Sequence, residues 1–94
     1  MNAIPIQRLK RPYAGGVVEV NIWHVPEPVP PCRHHYKYRL VYVVGGLRVA
    51  GYDNERGKGD HRHDGDEESP YVFINVETLL ADFWRVVEER GGAV

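Results

Sequence analysis

Apolar and polar residues alternate with a period of two from Val17 to Val25, where Val18, Val20 and Ile22 are separated by Glu19 and Asn21. A strand turns successive side chains to opposite faces, so this pattern predicts a half-buried strand. His35 to Val44 and Leu47 to Asp53 predict two more, and the Gly45-Gly46 pair between them is a strong hairpin signal. The implied register sets Val44 against Leu47, Tyr42 against Val49, Leu40 against Gly51 and Tyr38 against Asp53, a mostly apolar face. The other face then carries Val43 with Arg48, Val41 with Ala50, Arg39 with Tyr52 and Lys37 with Asn54, a basic surface bearing an aromatic. Pro70 to Ile74 predicts a short fourth strand. Beyond it the period changes: Val76, Leu79, Leu80, Phe83 and Val87 form a helical stripe that Trp84 and Val86 widen. Asn75 is a good cap, Glu77 suits the first turn, and Gly91-Gly92 supplies a stop.

Three segments fall outside these elements. Residues 1–15 form a short basic leader ending near Gly15-Gly16. Pro26, Pro28, Pro30 and Pro31 make a stiff, extended connector. Residues 54–69 form a polar loop rich in His, Asp and Gly. The chain of 94 residues is therefore expected to be one domain of α+β class. Its architecture is a mainly antiparallel sheet of about four strands, with one C-terminal helix packed on the Tyr38–Leu40–Tyr42–Val49 face.

Composition narrows the setting. The net charge of −1 conceals a polarity, because residues 1–52 sum to +5 and residues 53–94 to −6. The basic half can face phosphate while the acidic half faces a basic partner, or the halves can attract one another within the fold. No apolar run approaches the roughly 20 residues that span a bilayer, and the first residues lack a secretory signal pattern, so no membrane association is expected. Cys32 is the single cysteine, which excludes an internal disulfide and a cysteine-based zinc cage and fits a reducing cytoplasm.

Candidate chemistry concentrates between Tyr52 and His63, a stretch with no aliphatic side chain. In an extended chain His61 and His63 point the same way, so they can share a divalent metal with Asp53, Asp60 or Asp64. A reading without metal uses His61 and His63 as acid and base with Asp53 orienting, and Lys58 and Arg62 stabilising phosphate. Those are the tools for cleaving RNA through its own 2′-hydroxyl. Lys37, Arg39 and Arg48 around Tyr52 suit a single strand, with cations for phosphate and the ring for a base. The plain alternatives are a solvated loop and an ordinary solvated sheet face. Gly57-Lys58-Gly59 lacks the rest of a nucleotide-binding loop.

The run "RVAGYDNERGKGDHRH" followed by "DGDEESPYVFINVETLLADFWRVVEE", with "IWHVPEPVP" and "YKYRLVY" before it, resembles the TumE family of small bacterial toxins. The resemblance extends from about Gly16 to Glu89. It implies a cytoplasmic toxin of a type II module, paired with an antitoxin that is commonly a helix-turn-helix DNA-binding protein. Action on RNA is an inference from toxins of this size as a class. Two alternatives stand beside a ribonuclease: a non-catalytic RNA- or protein-binding module and a metal-dependent nuclease. The oligomeric state is not legible in the chain.

Overall fold

The computed structural model describes residues 2–91. Six strands and one helix follow in chain order: β1 (Ile4–Tyr13), β2 (Gly16–His24), β3 (Tyr36–Val44), β4 (Leu47–Glu55), β5 (Gly59–Asp64), β6 (Glu67–Pro70) and α1 (Val76–Gly91). The strands form one antiparallel sheet in the order β1-β2-β3-β4-β5-β6, and every strand pairs with its chain neighbour.

The α+β class and the C-terminal helix agree with the sequence reading; the strand count is six rather than about four. The basic leader contributes β1, an edge strand. There Pro5 and Pro12 are tolerated because one side of the ladder is unpaired, and Arg8, Lys10 and Arg11 discourage another strand from adding on. The polar stretch 54–69 is not a loop. It completes β4 and folds as the β5–β6 hairpin. Pro70 to Ile74 is no ladder strand, since β6 ends at Pro70 and Tyr71 to Asn75 run on outside regular structure.

The β3–β4 hairpin forms at Gly45 and Gly46, whose φ angles of 60° and 79° are the left-handed values that a tight two-residue turn requires. Val44 does pair with Leu47, but a bulge after Tyr42 slips the rest by one residue. Tyr42 faces Ala50, Val41 faces Gly51, Leu40 faces Tyr52 and Arg39 faces Asp53. A one-residue slip exchanges faces. Tyr52 therefore turns into the core and Gly51 out of it.

The core lies between one sheet face and α1. Val18, Val20, Ile22, Tyr38, Leu40, Tyr42, Ala50 and Tyr52 meet Leu79, Phe83, Val86 and Val87. These helix positions recur at three- and four-residue spacing, which aligns them on one stripe. The helix starts where Asn75 Oδ1 accepts the Thr78 amide at 2.7 Å. It is described as far as Gly91, which is buried against the Tyr42 hydroxyl, while Gly92 of the expected stop lies outside the described residues. The helix covers one face and leaves the other open.

Candidate active site

Strand alternation sorts the polar residues of β4, β5 and β6 onto two faces. Asp53 pairs with His61, and His63 pairs with Glu68, so all four project from the open face. His63 stands opposite Gly51, where no side chain crowds it. The His63 Nε2–H donates to Asp53 Oδ1 at 3.4 Å, and Glu68 Oε2 lies 3.8 Å from the same nitrogen. His61 Nδ1 donates to the Gly59 carbonyl at 2.8 Å, because a carbonyl only accepts. Its Nε2 then keeps a free lone pair in the neutral ring, 4.0 Å from Glu68. Both imidazoles are well shielded, with side-chain exposures of 14% for His61 and 10% for His63.

Glu68 links the group. Its carboxylate accepts from Lys58 Nζ at 3.3 Å. That bond first, and the nearby Lys58, His63 and His61 charges with it, hold the Glu68 carboxyl below its ordinary value against a smaller opposing effect of desolvation. Nothing in the sequence order marks Glu68 as a partner, because it enters across the turn that joins β5 to β6.

Of the expected RNA-contacting residues, Arg39 shares the open face, exposed and 3.9 Å from Glu19. The Arg48 stem lies over Gly51 on that face. Lys37 donates to the Asn54 carbonyl, and Lys58 stands beside the histidines through Glu68. Arg62 and Tyr52 are not brought to the cluster. They pair across β4 and β5 on the helix side, where Tyr52 is 2% exposed and its ring meets Tyr71 at 4.8 Å. Asp64 also turns that way and is bonded by Arg90. The aromatic that does reach the open face is Trp23, over which Arg8 places its guanidinium at 5.2 Å from the ring centroid.

Asp60 belongs to a second cluster, on the helix side. It accepts from the Tyr38 hydroxyl at 2.5 Å, from His34 Nε2 at 2.9 Å and from the Cys32 thiol at 3.4 Å. Among the described residues, Cys32, His34 and Asp60 bring three metal-type donor atoms within 4.8 Å of one another. The Tyr36 amide, however, donates to His34 Nδ1 at 3.2 Å, which leaves the ring proton on Nε2. Burial, and then the bond to Asp60, push the Cys32 thiol up. The trio forms a hydrogen-bonded network on the helix side, with the His34 Nε2–H and the Cys32 thiol both directed at Asp60. It ties the proline connector to β5, and the Gly57 amide adds a bond to the Pro30 carbonyl at 2.7 Å.

An antiparallel meander backed by one helix, with shielded histidines and carboxylates on its uncovered face, defines a small α+β domain of the polar-site type. No curated protein and no solved structure matches the chain. The family model described as Toxin TumE matches residues 5–91, nearly the whole chain, and the chain belongs to that toxin family. Its role is accordingly that of a toxin. Among the described residues, no helix is long and apolar enough to cross a membrane.

Proposed function

We propose that this toxin acts in the cytoplasm on RNA, cleaving it by metal-independent acid–base chemistry, and that an adjacent helix-turn-helix antitoxin restrains it. The observation that carries this reading is a pair of neighbouring, shielded imidazoles on one sheet face, each held by a different partner. His61 offers a bare Nε2, whereas His63 presents an N–H held by Asp53. Residues two apart on a strand are about 7 Å apart, a spacing that lets the rings flank one phosphodiester.

His61 Nε2 accepts the proton of the 2′-hydroxyl as that oxygen attacks phosphorus. The imidazolium of His63, its Nε2–H held by Asp53, gives its Nδ1 proton to the departing 5′-oxygen and becomes neutral, leaving a 2′,3′-cyclic phosphate on one fragment and a 5′-hydroxyl on the other. Asp53 keeps the His63 ring oriented, and Glu68 draws Lys58 toward the same space. Lys58, Arg39 and Arg48 supply charge for the phosphates.

The test pairs growth with chemistry. Induced wild type should arrest cells and yield RNA ends bearing 2′,3′-cyclic phosphate, with unchanged cleavage by purified protein in a chelator. Co-expression of the neighbouring gene should relieve the arrest. His61→Ala and His63→Ala should each slow cleavage by about 10²–10⁴-fold, the ordinary contribution of a positioned acid or base. Undiminished cleavage by both variants sinks the assignment. Binding of RNA without cleavage under any condition favours a non-catalytic toxin instead, and restoration of activity by a divalent ion favours a metal-dependent nuclease.

A further inference from the structure

We infer that Trp23 forms a base-binding subsite, taking an unpaired base of a single-stranded RNA that crosses the open face toward His61; this rests on the RNA-directed reading above.

The β-pairing lays out a transverse row. Arg8 on β1 pairs with Asn21 on β2, Asn21 with Arg39 on β3, Arg39 with Asp53 on β4, and Asp53 with His61 on β5. Trp23 lies two residues from Asn21 on β2, opposite Lys37. Strands are spaced by about 4.8 Å, so β2 is about 14 Å from β5 across the sheet. An open groove of about 350 Å³ sits at this end of the row, lined by Arg8, Glu19, Asn21, Trp23, Lys37 and Arg39. Three cations against one carboxylate give the groove a positive balance.

Trp23 stands apart from the other large aromatics. Tyr38, Tyr42, Tyr52 and Phe83 are buried in the core, and Tyr13, Tyr36, Tyr71, Phe73 and Trp84 pack against it. Trp23 belongs to neither group and is partly exposed. Its described partner is the Arg8 guanidinium, a flat cation whose tether to Asn21 Oδ1 is long, at 3.4 Å. A guanidinium over the indole, held at its far side by only a long bond, is a flat group that another planar π-system can replace. A base takes that place, and the displaced Arg8 becomes free to meet a phosphate. Stacking is indifferent to base identity, so the subsite fixes the path of the strand more than its sequence.

The probe is a mixed-sequence hexanucleotide with 2′-O-methyl groups, which the proposed chemistry cannot cleave. Its binding is followed both by intrinsic tryptophan emission and by anisotropy of a labelled copy. Wild type should show a saturable quench that the Trp23→Phe variant lacks. Trp23→Ala should weaken binding by about 5- to 150-fold, the range of one base–aromatic stack, and Trp23→Phe by less, because a phenyl ring still stacks. Inorganic polyphosphate, which has no bases, should bind without quenching. Tight binding with no quench and no loss in Trp23→Ala overturns the subsite while leaving RNA as the target. Equal quenching by polyphosphate overturns it as well. Failure of the oligonucleotide to bind even at low salt overturns the RNA reading and the subsite together.

Discussion

Asn54 is the most exacting test of how this sheet is held. It is fully buried, at 0% exposure, and lies where the regular β3–β4 register has already ended at Arg39 and Asp53. Its side-chain amide continues the ladder: Oδ1 accepts the Tyr38 amide at 3.0 Å, and Nδ2 donates to the Tyr36 carbonyl at 2.7 Å. Asn54→Ala removes both of these bonds, and with them a weak third one from Nδ2 to the Cys32 sulfur at 3.7 Å. The Tyr38 N–H is enclosed, and stranding it costs about 1–3 kcal/mol; the Tyr36 carbonyl lies nearer water, and its loss costs about 0.5–1.5 kcal/mol. The expected total is about 1.5–4.5 kcal/mol, a large part of the 5–15 kcal/mol typical of a domain. With a urea dependence of about 1–3 kcal/mol per molar, the midpoint should fall by about 0.5 M or more. Asn54→Asp sharpens the test. A carboxylate keeps the acceptor for Tyr38 but sets its second oxygen against the Tyr36 carbonyl, whereas the protonated acid restores a donor. The folded-state pKa of the new carboxyl is therefore raised, so its penalty relative to wild type should be small at low pH and grow as pH rises through the carboxylate range. A loss below about 0.5 kcal/mol in Asn54→Ala, or a penalty in Asn54→Asp that ignores pH, refutes the reasoning.

Three further outcomes are expected. Tyr52→Ala should cost about 3 kcal/mol or more in urea unfolding, as for a large buried ring, while the remaining folded protein binds RNA normally. Lys58→Ala should raise the Glu68 titration toward its ordinary value near 4.5, read from its carboxyl carbon by NMR. Because the folded-state value is depressed in wild type, the Glu68 contribution to stability is present above the ordinary value and lost as pH falls through the lower one; the variant should show a weaker dependence. Cys32 should react with a thiol reagent at least ~10-fold more slowly in the native protein than in urea, because burial and the bond to Asp60 disfavour the thiolate. Equal rates would show that the Asp60 network is not closed.

The α1 stripe and the Gly45-Gly46 hairpin were legible because each is a local pattern, of spacing in one and of backbone freedom in the other. β1 was not, since Pro5, Pro12 and three cations obscure the alternation that an edge strand needs only weakly. β5 has no aliphatic residue and so offers nothing to a reading based on apolar period. The bulge after Tyr42 leaves no mark in composition, yet it alone sends Tyr52 inward and Gly51 outward. In the site, the shared face of His61 and His63 followed from the period of two in an extended chain, whereas the choice of Asp53 over Asp60 and Asp64 depends on the β4–β5 pairing. Glu68 depends on the β5–β6 pairing, and Trp23 on β2 meeting β3 across the proline connector. Neither contact is written in local order.

A strand as polar as β5 persists because its side chains find partners on both sides of the sheet. Asp60 gathers Tyr38, His34 and Cys32, and Asp64 meets Arg90 on the helix side; on the open side His61 bonds the Gly59 carbonyl and His63 bonds Asp53. A buried polar group that is paired costs little, and one left unpaired costs several kcal/mol. The helix-side pairs therefore do the holding. They free the two open-face histidines from a structural duty, so those rings can be shielded and oriented without being needed for folding. This division separates the two halves of the strand experimentally. Asp60→Ala should lower stability and loosen the connector, whereas His61→Ala should leave urea unfolding near that of wild type while removing activity. If His61→Ala unfolds as readily as Asp60→Ala, the open-face pair is part of the scaffold and the division fails.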